Sequence, residues 1–536
     1  MRARTAAEQG KPMQKELELL QGYISAARAL AVQQPEYEAG AVLQQALQQA
    51  QGQDGVMELA AAALDLAEPD CAAAALVQLP QAAPRQALQQ RAERLFSLAK
   101  LPQPVPPWGW APVPGRVAYV LYSSLPWIST GYAVRSQRLA LALRDAGADL
   151  HCLTRPGFPW DENPAALSAD MPLGRPFEEE IAGLPYLRSP EPQFGSWQNY
   201  PAYVRSSAEA LTARFLDLRP AVVMAASNHA CALPALIAAR RLGLPMVYDM
   251  RGFWELSRAA REPGFLGAPQ YRYERWLETQ AARQADHVFT LSQPMRQTLV
   301  SRGVAAERVT FLPNGCNPDS FGPAGRGRRL AAELELPEGV PVIGYTGSFP
   351  AYEGLEDLVA AAAGLKAAGH RFRLVLVGDE NGTGLRGTPV TQALRRQAAE
   401  LGLGDWLIMP GRVPFEQVPD WLDLIGICVF PRRPLQVTEM VAPLKPVEAM
   451  AAGKAIVLSS VGGMQGLLED GESGLVFAKG EIADLQSKLA RLLEDPELCT
   501  RLGAAAHFRA RRQYSWGSIA GTMRDTLKCL TGGAGL

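Results

Sequence analysis

Patterned cysteine is the first thing this chain lacks. Its seven cysteines (Cys71, Cys152, Cys231, Cys316, Cys428, Cys499 and Cys529) form no C-x-x-C pair and no zinc-like spacing. That argues against a disulfide framework or a zinc module and suits a reducing compartment. An excess of charge of one sign is missing too. Lys plus Arg number 53 and Asp plus Glu 54, so there is no global electrostatic case for nucleic acid or an anionic membrane as partner. Long apolar runs are also scarce. The longest uncharged stretch, Pro220 to Ala239, approaches membrane-span length but carries Ser227, Asn228, His229 and Pro234 in its middle, and reads as strand, loop and helix. The first residues lack the charged start, apolar centre and small-residue cleavage site of a secretion signal, so the cytoplasm is the expected compartment, with contact at the inner membrane face only peripheral. The chain holds no G-x-x-x-x-G-K-[ST] phosphate loop, no H-E-x-x-H, no G-x-S-x-G and no Asp-x-Asp pair.

Aromatic residues are rare in the first hundred positions. Tyr23, Tyr37 and Phe96 stand among Ala/Gln/Leu/Glu tracts with apolar residues at helical spacing, so residues 1–100 read as a helical appendage for packing or self-association. A proline-rich linker follows over 101–115, with Trp108 and Trp110. From Arg116 onward, short β-branched or Leu-rich runs alternate with Ala-rich helical stretches, as in a parallel, doubly wound sheet. At 536 residues the chain exceeds a single core, and the alternation restarts after Gly322 to Gly327. The expected architecture is therefore α/β: two Rossmann-like domains, 116–325 and 326–513, facing a cleft, with a closing helical segment over 514–536.

The most informative segment runs from Pro431 to Lys454. It follows an apolar strand and enters a helix opened by Pro446 and closed at Gly453, which places Lys445 at the helix start and Glu448 in its first turn. A cation and free amides there suit a diphosphate, and the carboxylate could accept hydrogen bonds from ribose hydroxyls. The blander reading is an ordinary first-turn acid beside a solvated base. Gly382-Thr-Gly-Leu-Arg-Gly387 fits G-x-G-x-x-G, but Asp379 and Glu380 intervene where its glycines should begin, and it reads as a loop. His229, one of five histidines, follows a first-domain strand and is a candidate for the acceptor side, with a structural histidine as the alternative.

Pro443-Leu-Lys-Pro-Val-Glu-Ala-Met-Ala-Ala-Gly-Lys-Ala-Ile-Val457, with Val461-Gly-Gly463, Asp470-Gly471 and Gly474-Leu-Val-Phe477 downstream, closely resembles glycosyltransferase family 4. Gly131-Tyr-Ala-Val-Arg-Ser-Gln-Arg138, Asp249-Met-Arg-Gly-Phe-Trp-Glu255, Ala285 to Ser292, Pro313-Asn-Gly315 and Thr346-Gly-Ser-Phe349 resemble the family's other segments in the same order, over roughly 116 to 530. The resemblance implies the GT-B fold and a retaining, metal-independent transfer of sugar from a nucleotide diphosphate, UDP- or GDP-linked, to a hydroxyl acceptor. A glycan or lipid-linked acceptor in surface-glycan synthesis is the expected setting, and no resident cofactor is implied. It also implies that Glu448 binds the donor ribose and that Glu439 lies near the donor sugar. Many relatives space these acids by eight, whereas here Met440 makes the spacing nine.

Around the donor the resemblance further gathers Gly131, Gly347, Ser348, Arg412, Arg432, Arg433, Thr438 and Lys445. The Arg and Lys that many relatives use to hold the diphosphate correspond here to Ser348 and Glu353, which turns attention to Lys445, then to Arg432 or Arg433, as the replacing cation. Arg251 stands where many relatives carry a His; as a permanent cation it suits charge stabilisation or acceptor positioning rather than base chemistry. Competing readings are a sugar-nucleotide epimerase, a phosphorylase on the same fold, or a catalytically weak scaffold that recruits partners through residues 1–100.

Overall fold

The structure, a computed structural model, describes residues 17–31, 39–50, 52–162, 175–195, 199–320, 325–380 and 389–532. The Gly382 to Gly387 motif lies outside them.

Two sheets organise the chain. The first comprises β1 (Arg116–Leu121), β2 (Asp149–Thr154), β3 (Phe177–Ile181), β4 (Leu184–Arg188), β5 (Val222–Ala226), β6 (Met246–Met250), β7 (His287–Thr290) and β8 (Val309–Phe311). Their order is β3-β4-β2-β1-β5-β6-β7-β8, with every pair parallel except β3 with β4. The second comprises β9 (Val342–Thr346), β10 (Arg373–Val377), β11 (Leu407–Gly411), β12 (Ile427–Phe430), β13 (Ala455–Ser459) and β14 (Leu475–Phe477), in the order β11-β10-β9-β12-β13-β14, all parallel. Helices cover these sheets, so β5, β6, β9, β12 and β13 are buried along their whole length and read as mainly apolar runs, with Asp249 the one charged residue among them. The β3–β4 hairpin escapes such a reading because Glu178, Glu179 and Glu180 lie on an edge strand. Its turn places Ala182 and Gly183 at φ 52° and 76°, the left-handed pair of a tight hairpin.

Strand order fixes where a ligand can enter. Neighbours of β1 lie on opposite sides of it, β2 and β5, and those of β9 are β10 and β12. Chain direction around the sheet reverses there, which opens a crevice at the C-terminal ends of these strands.

Helical residues 17–31 and helices Gly40–Gln49, Gln53–Asp65, Pro69–Gln78 and Ala83–Phe96 form the appendage, with a core of Leu and Ala side chains. It is docked on the first domain. Arg272 of helix Pro269–Gln284 reaches Glu68 at 3.3 Å, the Tyr273 hydroxyl donates to the Leu95 carbonyl at 3.0 Å, and Phe96 meets Trp276 edge-on at 5.0 Å. The proline-rich stretch is pinned along the same domain: the Val105 amide donates to Arg241 O at 2.8 Å, and the Trp110 indole to Leu216 O at 3.0 Å.

The closing helix Trp516–Leu530 buries Ile519, Met523 and Leu527 against β1 and helix Gly131–Asp145 of the first domain. It arrives there through Cys316, whose amide donates to Tyr514 O and whose carbonyl accepts from Trp516 N. Gly315 is required at this crossing, since a Cβ would lie 2.5 Å from the Trp516 ring.

Candidate functional site

In the second sheet, β12 ends at Phe430 and the chain turns through Pro431 to Leu444 before helix Lys445–Ala451. Lys445 Nζ donates to Glu448 Oε2 at 2.9 Å, with side chains 31% and 13% exposed, so the two residues form one half-open polar unit. Ahead of it, the short helix Gln436–Met440 carries Glu439. The Gly462 amide donates to Glu439 Oε2 at 2.7 Å and Lys479 Nζ to Oε1 at 2.6 Å.

The two arginines of this loop hold acidic partners. Arg432 is buried, donates from Nε and Nη2 to Glu353 Oε1 at 3.0 and 2.6 Å and from Nη1 to the Val441 carbonyl at 2.9 Å. Burial disfavours its charge, but the Glu353 carboxylate outweighs this and leaves its pKa above the usual arginine value. Arg433 forks onto both oxygens of Asp357 at 2.9 and 2.7 Å. The Thr438 hydroxyl is buried and closes its own loop through the Arg433 and Leu435 carbonyls, so the side chain expected at the donor shapes the loop instead.

At the end of β9, the Gly347 amide donates to Val377 O at 2.9 Å and the carbonyl of exposed Ser348 accepts from Tyr345 Oη at 2.9 Å. Gly378 must be glycine for these strand ends to meet, because a Cβ would fall 1.7 Å from Gly347 O. Arg412 is exposed, one residue beyond β11.

In the first domain, Gly131 opens helix Gly131–Asp145, which Thr130 caps by accepting from Ala133 N at 3.3 Å. Gly131 is exposed, and among the described residues beyond its own helix and chain neighbours nothing lies within 4 Å of where a Cβ would be.

Arg251 needs a correction. Its guanidinium points into the domain, donating to Asp249 Oδ2 (2.9 Å), Tyr132 O (3.0 Å), Ser136 Oγ (2.7 Å) and the Tyr119 hydroxyl, with its central carbon 4.4 Å from the Tyr132 ring centroid. Only 7% exposed, it is a buried structural node and not a cleft-facing cation. Burial alone would raise the Asp249 carboxyl, but Arg251 and Arg135 hold it below the usual range. His229 needs one as well. It is 2% exposed, its ring bonds the Tyr200 hydroxyl, and burial pushes its pKa down to about 3, so it is a neutral interior group. Its amide donates to Glu278 Oε1 at 3.0 Å, and burial and neighbouring Glu255 push Glu278 up to about 8.

The two domains meet along the loop that bears Glu439. Val437 and Ala442 are buried within the first domain's core. Asn314 donates to Ala442 O at 2.9 Å and accepts from Arg135 Nη1 at 2.8 Å; Ser292 Oγ donates to Met440 O. Met440, which widens the spacing of the two acids, thus anchors the loop across the domain boundary. Lys479 and Asp357 are residues that sequence patterning does not single out, and Glu353, noticed only as the replacement for a cation, gains its bond to Arg432 in the fold. The pair Lys479 and Glu439 is 40 positions apart in the chain, so no local pattern joins them.

Family models match both halves: a glycosyl transferase 4-like domain over residues 130–315 and glycosyl transferases group 1 over 328–508. A D-inositol 3-phosphate glycosyltransferase of Streptomyces griseus is 28% identical over 305 residues, covering 54% of this chain and 63% of that protein. The chain thus spans less than two thirds of the length of the first curated relatives it matches. Among solved structures, a sucrose-phosphate synthase from Thermosynechococcus elongatus superposes with TM-score 0.62 at 20% identity, over 78% of this chain and 100% of that one. Anabaena HepE in complex with UDP superposes with TM-score 0.59 at 17% identity, over 77% and 100%. With paired parallel sheets, crevices at both switch points and both halves matched, this chain belongs to the glycosyltransferases of the GT-B fold, joining a glycosyl transferase 4-like domain to a glycosyl transferases group 1 domain.

Proposed function

We propose that the protein transfers a sugar from a nucleotide diphosphate to a hydroxyl of a glycan or lipid-linked acceptor, with retention at the anomeric carbon and without a resident metal. What carries this reading is the Lys445–Glu448 unit beside the second sheet's switch point, half open to the crevice and ordered by helix Lys445–Ala451. UDP is the first nucleotide to try, because HepE, which shares the fold, has a crystal structure in complex with UDP.

Each group has a role that its chemistry allows. Glu448 accepts hydrogen bonds from the ribose hydroxyls, and Lys445 swings from it to the diphosphate as a point charge. The amides at Gly131 approach the phosphates from the opposite domain. Arg432, tied to Glu353, leaves the loop after β9 close to neutral, so Lys445 and the amides bear the leaving-group charge. The anomeric carbon–oxygen bond to phosphate breaks as an oxocarbenium-like sugar forms. The acceptor oxygen then bonds to that carbon from the same face, and its proton passes to the departing phosphate oxygen. No protein nucleophile takes part. Building a bacterial surface glycan or glycoconjugate is the setting this chemistry fits.

The test is hydrolysis or transfer of UDP-, GDP- and ADP-sugars by the unaltered protein, Lys445→Ala and Glu448→Ala. Loss of about tenfold or more in each variant is expected for removal of a charged hydrogen-bonding group. Full activity in both would place the donor elsewhere.

A further inference from the structure

Glu439 is gripped from two sides by groups that come from the next two strands of the sheet. The Gly462 amide, just after β13, donates to Oε2 at 2.7 Å; the Lys479 ammonium, two residues beyond β14, donates to Oε1 at 2.6 Å. Lys479 is itself tied down, since its backbone amide donates to Ser460 Oγ at 3.0 Å. Three adjacent strand ends, those of β12, β13 and β14, therefore converge on one carboxylate.

Fold stability does not account for this brace. The side chains are 43% and 28% exposed, and a pair so open to water adds little to stability. Its effect is on direction. A glutamate with both oxygens engaged loses most of its rotameric freedom, yet each oxygen keeps a lone pair for a hydroxyl donor. Such a carboxylate is arranged before any ligand arrives.

We propose that Lys479 is a positioning residue: it aims Glu439 at the sugar of the donor and takes no part in holding the nucleotide. The assignment rests on the reading of this crevice as the donor site. Lys479→Met keeps the aliphatic stem and removes the ammonium, while Lys479→Arg restores a cation able to reach Glu439.

The experiment measures kcat and KM for the sugar nucleotide turned over fastest, and Kd for its nucleoside diphosphate. It uses the unaltered protein, Lys479→Met, Lys479→Arg, Glu439→Gln and the double variant Lys479→Met/Glu439→Gln. Lys479→Met is expected to lose roughly ten- to a hundredfold in kcat, the scale of a misplaced reacting geometry, with diphosphate affinity unchanged. Lys479→Arg recovers most of that loss, and the double variant is no slower than Glu439→Gln alone, because the lysine acts through the carboxylate. Unchanged kcat in Lys479→Met, an equal loss in Lys479→Arg, a parallel loss of diphosphate affinity, or multiplied losses in the double variant would each overturn the assignment. Failure of the unaltered protein to turn over any sugar nucleotide while still binding diphosphate would instead sink the transfer reading, and this assignment with it.

Discussion

Around Asp249, burial and charge are balanced residue by residue. Its carboxylate is fully buried between Arg251 at 2.9 Å and Arg135 at 3.7 Å, with the Tyr119 hydroxyl donating at 2.7 Å. Removing Arg251 would leave that carboxylate with one distant cation and take a donor from the Tyr132 carbonyl and the Ser136 hydroxyl, which still bond each other at 2.8 Å. Arg251→Met is therefore expected to lower unfolding free energy by about 3 to 5 kcal/mol, as in other broken buried ion pairs, measurable by denaturant titration. A variant of ordinary stability that had lost only turnover would return Arg251 to the catalytic group. The spacing of Asp249-Met-Arg251 could place this arginine near the end of β6 but could not tell which way its side chain turns. That direction is set by Tyr119, Tyr132 and Ser136, more than a hundred positions away. Lys445 and Glu448 were legible because their partnership is local, three residues apart on one helix.

Between elements, helix Pro269–Gln284 links the appendage to the inside of the first domain. One side of it receives Leu66, Glu68 and Leu95, and the other presents Glu278 to the Tyr248 hydroxyl and the His229 amide. The charged groups near Glu278 are Glu255 and Arg302, while His229 is kept neutral. Glu278 is raised from 4.5 to about 8, so the folded state keeps a proton that the unfolded chain has already released. Its stability contribution is complete below pH 4.5 and is lost as pH rises through about 8. His229, lowered from 6.5 to about 3, acts oppositely: its contribution is present above pH 6.5 and is lost as pH falls toward 3. Of these two groups only Glu278 still changes above pH 6.5, and Glu274, raised to about 7, is common to both proteins, so the melting temperature of the unaltered protein should fall relative to Glu278→Gln between pH 6.5 and about 8. Parallel curves over that window would contradict the buried, proton-holding role. Regular elements were readable wherever strands are buried on both faces, as in β5, β6, β9 and β13. The β3–β4 hairpin and the docking of the appendage were not, because one lies on a charged edge and the other depends on contacts such as Phe96 with Trp276.

At the scale of the whole molecule, the halves are joined by the crossing at Cys316 and by the seating of the Glu439 loop in the first domain. Asn314 is the hinge point of that seating, since one amide group serves both Arg135 and the Ala442 carbonyl. Asn314→Ala removes both bonds while leaving each domain's core untouched. Its small-angle scattering profile is expected to broaden without ligand and to return toward that of the unaltered protein when nucleoside diphosphate is added, because a donor spanning the cleft favours the closed arrangement. Identical profiles for the two proteins would show that Asn314 does not govern closure. The ordered motifs, more than any single residue, made the two-domain plan legible, whereas the pairing of Arg432 with Glu353 and of Lys479 with Glu439 emerges only when separate strand ends come together.

Whether a nucleoside diphosphate binds over Lys445 and Glu448 is tested most directly by calorimetric titration of UDP and of uridine into the unaltered protein, Lys445→Ala and Glu448→Ala. Lys445→Ala should weaken UDP about tenfold or more and leave uridine unchanged, while Glu448→Ala should weaken both, the ribose being common to them. UDP binding to both variants with the affinity of the unaltered protein would contradict the account.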